Sequence, residues 1–298
     1  MSSMRGARVA RPMLPMLQLI AGAVMISFSA VFVKLTAVGP DTAAFYRVAL
    51  GGGILLVIAR LHGERLWCGW RAAAVIAVAA LCFALDLGFW HRSIDYVGPG
   101  VATLLANFQV FALAAAGIFF FGERLRWQIG FALPLALLGL FLLVGVDWSA
   151  LPAGYHVGVG LGLLTAACYA GYILTLRSSR VRAGRQGDFA NIALISLLCA
   201  LFLAGAVLLD GESFAIPTWR DGGVLLAYGV FGQVAGWVLI SKSLPRVRAS
   251  QVGLVLLLQP MCAFIWDVLF FGRAFTPVEL GGAALALAAI YLGSRRAA

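Results

Sequence analysis

Long apolar runs alternate with short polar and charged links along the whole chain. Ten runs stand out, at roughly 13 to 34, 42 to 60, 72 to 91, 97 to 121, 127 to 146, 157 to 177, 189 to 209, 221 to 241, 249 to 271 and 277 to 294. About 20 apolar residues, each rising about 1.5 Å, cross the roughly 30 Å of hydrocarbon in a bilayer. Only helices and closed barrels satisfy their backbone in lipid, and runs this long and continuous predict helices. A soluble helical core would need polar faces, and these runs lack them.

The pattern repeats. Sliding the sequence by 150 residues places Ser93 on Ser243, Val97 on Val247, Leu104 on Leu254, Gln109 on Gln259, and Phe120-Phe121-Gly122 on Phe270-Phe271-Gly272. A division near Trp148 gives residues 1–148 and 149–298, five predicted helices each. Five is odd, so the second copy enters the membrane upside down relative to the first. The expected fold class is therefore an all-α integral membrane protein, one membrane domain of ten transmembrane helices in two inverted five-helix repeats. An inverted repeat of this kind is a transporter arrangement more often than any other.

Composition agrees: 62% of the 298 residues are hydrophobic and 11% charged, too apolar for a globular core. The net charge of +10 sits in clusters between the runs, where it sets orientation, so nucleic acid is not an expected partner. With the N-terminus in the cytoplasm, 17 basic residues fall inside: Arg5, Arg8, Arg11, Arg60, Arg65, Arg71, Arg124, Arg126, Arg177, Arg180, Arg182, Arg185, Lys242, Arg246, Arg248, Arg295 and Arg296. Only Lys34, Arg92, Arg220 and Arg273 fall outside, so both termini are expected in the cytoplasm. The first run follows three arginines like a signal peptide, but its length and the lack of a small-x-small cleavage site make it the first membrane helix.

Two charges cannot be placed outside the membrane, and a third lies as deep by residue count. Arg47 lies 12 uncharged residues from Arg60, too short a stretch to span, and Asp86 lies 14 from Arg71. Arg47, Asp86 and Asp267 each fall about 9 Å below the outer boundary by residue count. Their common depth predicts that they pair, which leaves one carboxylate over as a proton or substrate-amine site, or makes the acids merely structural partners of Arg47.

A second intramembrane set is Asn107, Gln109, Gln233 and Gln259, with Gln109 and Gln259 expected to face each other across the repeat axis. Such amides either line a cavity or join helices. Phe89, Trp90, Tyr169, Tyr172, Trp237 and Trp266 are the neighbouring aromatics. Trp237, Tyr169 and Tyr172 lie deep enough to wall a cavity, while Trp90 sits near the end of its run, as a membrane-belt residue does. Gly154, Gly158, Gly162, Ala166 and Ala170 recur at every fourth residue and predict a close helix contact.

Catalytic patterns are missing. The five cysteines and the histidines His62, His91 and His156 lack metal-ligand spacing, and Gly51-Gly52-Gly53 has no following Lys-Ser/Thr. No metal, no cofactor and no catalytic residue is expected.

Phe45-Tyr46-Arg47, the Phe-Phe-Gly-Glu123-Arg124-Leu125 turn and Gln259-Pro260 together carry a resemblance. The chain resembles the EamA-like ten-helix exporters of the drug/metabolite transporter superfamily over nearly its full length, and within them the YddG-type aromatic amino acid exporters. The resemblance implies a basket of ten helices working by alternating access, with a cavity lined mainly by helices one, three, four, six, eight and nine. Its implied function is secondary export of amino acids, aromatic ones included, across the bacterial inner membrane by a monomer embedded in lipid. Export of drugs or other small metabolites stays open, as does an intramembrane enzyme or accessory subunit. Two departures, Val110 in place of the usual proline and Arg273 in place of the usual glutamate, predict a one-sided kink and one-sided loop contacts.

Overall fold

The computed structural model describes residues 13–67, 69–124, 126–144, 154–182 and 187–294. Cys68, the repeat boundary at Trp148 and the terminal arginines lie outside them. The regular elements among the described residues are all helices, with no strand. Among the described residues nine helices are long and apolar enough to cross a membrane: α1 (Leu14–Leu35), α2 (Pro40–Leu61), α3 (Trp70–Gly98), α4 (Gly100–Phe121), α5 (Trp127–Val144), α6 (Tyr155–Arg180), α7 (Asp188–Leu209), α8 (Trp219–Arg246) and α9 (Ala249–Phe271). A tenth apolar helix, α10 (Pro277–Gly293), is shorter and packs along α5.

A repeat is visible in backbone detail. Helices α4 and α9 both break 150 residues apart, after Asn107 and Leu257. Both then stop on a left-handed glycine, Gly122 at φ 63°, ψ 25° and Gly272 at φ 61°, ψ 27°. Beyond each glycine the next amide reaches back six residues: Glu123 N–H donates to the Gly117 carbonyl at 2.8 Å, and Arg273 N–H to that of Asp267 at 3.3 Å. Both helices thus end in the same left-handed glycine cap, at the glycine of the paired Phe-Phe-Gly sequences.

The kink is not one-sided. Pro260 removes an amide donor and loosens α9. In α4, without proline, the Asn107 side chain donates to the Thr103 carbonyl at 2.7 Å, and Val110 N–H donates to the Asn107 carbonyl at 3.2 Å, a tighter three-residue turn. The loop contacts are one-sided. Glu123 accepts from the amides of Ala249 (2.7 Å) and Ser250 (3.3 Å), capping the start of α9. Arg273 instead donates to Glu279 at 2.6 Å.

Helices α2 and α7 pack antiparallel and cap each other. Glu212, just past α7, accepts from the Thr42 amide at 2.9 Å, and Glu64, just past α2, accepts from the Ala190 amide at 2.7 Å. Each receiving helix starts at a glycine, Gly39 or Gly187, because the partner's carboxylate occupies the space a Cβ would fill. Helices α5 and α10 cross reciprocally: a Cβ on Gly139 would lie 2.6 Å from the Gly282 carbonyl oxygen, and one on Gly282 would lie 2.6 Å from that of Gly139.

The small-residue stripe packs α6 on α3 and the first turns of α4. A Cβ on Gly158 would sit 2.5 Å from that of Tyr96, and one on Gly162 would sit 2.7 Å from that of Leu105. Ser93 donates to the Gly158 carbonyl at 2.8 Å across this contact, so the backbones meet directly.

Candidate functional site

Helix α3 runs on to Gly98, beyond the expected end near residue 91, because His91 and Ser93 find partners on other helices and no longer terminate it. Two consequences follow. Trp90 lies two turns inside its helix rather than at its end, half-buried beside the His91 ring. Asp86 lies deeper than a helix ending near residue 91 would put it.

His91 is hydrogen-bonded to Asp41 at the end of α2 and so ties α2 to α3. From that tie, six residues inward along α2 reach Arg47 and five inward along α3 reach Asp86, so the two charges lie at similar depth, roughly 8 to 9 Å below it. Arg47 is 5% exposed and Asp86 9%. The guanidinium lies 5.2 Å from the Tyr228 ring centre and 5.8 Å from that of Phe83, one turn before Asp86 on α3. Its Nη1 donates to the Tyr228 hydroxyl at 3.4 Å, and its Nε has no partner. Asp86 is within electrostatic reach of Arg47, without a direct salt bridge.

Asp267 does not join them. It pairs with Lys34 at 2.8 Å, and Lys34 also lies over the Phe271 ring. The expected three-charge cluster is therefore a pair of buried charges plus a half-exposed ion pair. The reason is geometric: Asp267 sits five residues before the Gly272 cap, level with the end of α1 that carries Lys34.

Next to Arg47 the aromatic side chains close ring on ring. Tyr172 stacks on Phe83 at 4.4 Å and 8°, and Trp237 stands edge-on to Tyr172 at 4.7 Å, Phe83 at 5.5 Å and Tyr169 at 6.3 Å. Helices α3, α6 and α8 supply them, so both repeats contribute. The Tyr172 hydroxyl and the Trp237 Nε1 are buried without partners. Beside them the Gln233 amide, fully buried, donates to Ser196 at 2.7 Å while its Oε1 is unpartnered.

Gln233 lies in a stretch of π-helix, Gly229–Gly236, inside α8. Gly229 faces Gly51 of α2 there, its backbone close enough that an added Cβ would lie 3.1 Å from the Gly51 nitrogen. A π-turn between closely packed glycines is a local adjustment of the kind that often marks functional segments.

The remaining amides divide. Gln259 donates to the Tyr169 hydroxyl at 3.2 Å, and Asn107 spends its amide on its own helix. Gln109 is 2% exposed with Oε1 unpartnered, and no hydrogen bond joins it to Gln259. The repeat-related glutamines therefore do not meet as a pair. Phe89 is half-buried on α3. Trp266 stacks on Phe28 at 4.4 Å and donates to Ser27 at 2.7 Å, at the break in α1.

Arg47, Asp86, Tyr172, Gln233 and Trp237 of this centre are buried, and Tyr169 and Gln259 are half-buried. Two grooves open laterally: one of about 590 Å³ lies between α2, α3 and α7, and one of about 420 Å³ lies between α3, α4 and α6. None of the expected site residues lines either. Residues that sequence reasoning missed are Phe83, Ser196 and Tyr228. An aromatic residue in an apolar run looks the same whether it faces lipid or Arg47, so only the i, i+3 spacing of Phe83 and Asp86 hinted at one face.

The EamA-like transporter family matches this chain twice, at residues 13–145 and 156–295. The chain belongs to this family. It is a multi-pass membrane transporter and not an enzyme. It is similar to the threonine/homoserine exporter RhtA of Salmonella typhimurium, 29% identical over 86% of this chain and 81% of that protein. It is 24% identical to the pseudopaline exporter CntI of Pseudomonas aeruginosa over 84% of each chain. An uncharacterized transporter of Bacillus subtilis, YwfM, is 27% identical over 80% of this chain and 79% of its own length. A solved crystal structure superposes with a TM-score of 0.81 at 18% identity, covering 94% of this chain and 96% of the other, a likeness of fold.

Proposed function

We propose that this transporter exports amino acids and related small metabolites, aromatic amino acids among them, across the bacterial inner membrane by alternating access. The observation that carries the reading is the polar and aromatic centre around the buried Arg47, Asp86, Tyr172, Gln233 and Trp237 and the half-buried Tyr169 and Gln259, to which helices of both halves contribute. Rocking one half against the other would open such a centre to each side in turn. The broken helices α1, α4 and α9 and the π-turn of α8 supply the hinges. The repeats divide near residue 148, the basic loops face the cytoplasm with both termini, and the unit is a monomer. The similarity to RhtA supports an amino acid substrate. The similarity to CntI favours, as the second reading, export of a different small metabolite through the same centre.

Flux in proteoliposomes with a panel of labelled amino acids tests this. Saturable flux of at least one is expected; none with any amino acid would leave the metabolite reading in its place.

A further inference from the structure

Arg47 and Asp86 are opposite charges, both at least nine-tenths buried, at one depth, and without a direct salt bridge. Both lie within electrostatic reach of Tyr169 and Tyr172, so they flank the same part of the interior. A guanidinium carries five donors, and this one makes a single long hydrogen bond, to Tyr228 at 3.4 Å, with Nε unpartnered. The Asp86 carboxylate accepts no hydrogen bond among the described residues. Neither charge has the partners that a purely structural ion pair would supply.

We propose that Arg47 and Asp86 together recognise the zwitterionic head of an α-amino acid, Arg47 taking the carboxylate and Asp86 the ammonium, with an apolar or aromatic side chain directed at Tyr172, Phe83 and Trp237. The inference rests on the amino acid reading above. Arg47 and Asp86 cancel in charge, so the site meets a net-neutral zwitterion without leaving either buried charge unbalanced. An amine without a carboxylate leaves Arg47 uncompensated, and an acid without an amine leaves Asp86 so. The planar guanidinium fork matches a carboxylate. The aromatic rings around it are sequence-tolerant walls for a side chain and account for the apolar end. Arg47 and Asp86 are buried here, so the substrate enters when the π-turn of α8, which carries Gln233 and precedes Trp237, moves away from α2.

The test is uptake of labelled phenylalanine by the full chain in proteoliposomes, with unlabelled phenylalanine, phenylethylamine and 3-phenylpropanoate as competitors. For the unaltered protein both analogues should compete about ten- to a hundredfold more weakly than phenylalanine, as expected when a charge-assisted hydrogen-bonded group is lost. Arg47→Gln should narrow the gap for phenylethylamine only, and Asp86→Asn the gap for 3-phenylpropanoate only. These opposite shifts are not produced by loss of packing. If Arg47→Gln fails to insert, Arg47→Lys keeps the charge without the fork and should weaken phenylalanine while preserving the order of competitors, and Asp86→Asn still carries its own arm. Equal competition by all three compounds, the same shift for all three in both variants, or no saturable phenylalanine flux overturns the inference. Flux of another amino acid, in that last case, leaves the exporter reading standing; flux of none removes both.

Discussion

Gln259 donates its amide proton to the hydroxyl of Tyr169 at 3.2 Å, and it is through this bond, not through Gln109, that the broken helix α9 is tied to α6. The bond joins a repeat-derived amide to an aromatic residue at the centre. Gln259→Leu should insert normally and cost about 0.6 to 1.7 kcal/mol of stability in detergent unfolding, the range for hydrogen bonds between membrane helices. Apparent affinity for substrate should fall in the same variant, whereas Gln109→Leu should leave the Tyr169 contact intact. Equal affinities for both variants and wild type would place the substrate elsewhere.

The reciprocal caps predict additivity. Glu64→Ala and Glu212→Ala each remove a carboxylate from the start of the other helix and should each cost about 1 kcal/mol. The two sites lie at opposite ends of the α2–α7 pair, so the double variant should lose the sum in thermal unfolding. A strongly non-additive result would mean that the ends communicate.

The α6 stripe predicts a steric limit. Gly158→Val places new atoms within 2.5 to 2.7 Å of Tyr96 and Val97 and forces α6 off α3. Overpacking of this kind costs about 1 to 3 kcal/mol, and the variant should elute as aggregate or show a lowered melting temperature, while Gly160→Val, which meets nothing, should not.

The ion pair of Lys34 and Asp267 can be separated from Arg47 by double-mutant cycles on unfolding. Lys34 is half-exposed, so its coupling to Asp267 should lie at about 1 kcal/mol or below and weaken in salt. Arg47 and Asp267 should show none. A clear Arg47–Asp267 coupling would restore the three-charge arrangement.

Repeat and helix number were legible in the sequence, because a bilayer demands long continuous apolar runs and an inverted repeat leaves paired glycines, glutamines and Phe-Phe-Gly turns. Gly122 and Gly272 do close α4 and α9 alike. A shift of 148 would also have found the caps, since Gly39 and Glu64 fall on Gly187 and Glu212. The intramembrane charges Arg47 and Asp86 were legible as anomalies, since no redrawing of the helix ends removes a charge placed mid-run.

What only the tertiary structure decided is partnership. Asp267 goes to Lys34, Gln259 to Tyr169, Asn107 to its own helix, and Arg47 to Phe83 and Tyr228. Apolar periodicity is silent here. In lipid every face of a helix is apolar, so the facing side carries no hydrophobic signature and the choice of neighbour rests on shape and hydrogen bonding across the bundle. The run lengths determined that this chain lives in a membrane; the packing of α2, α3, α6 and α8 decided that its two buried charges lie at similar depth beside a wall of aromatic rings.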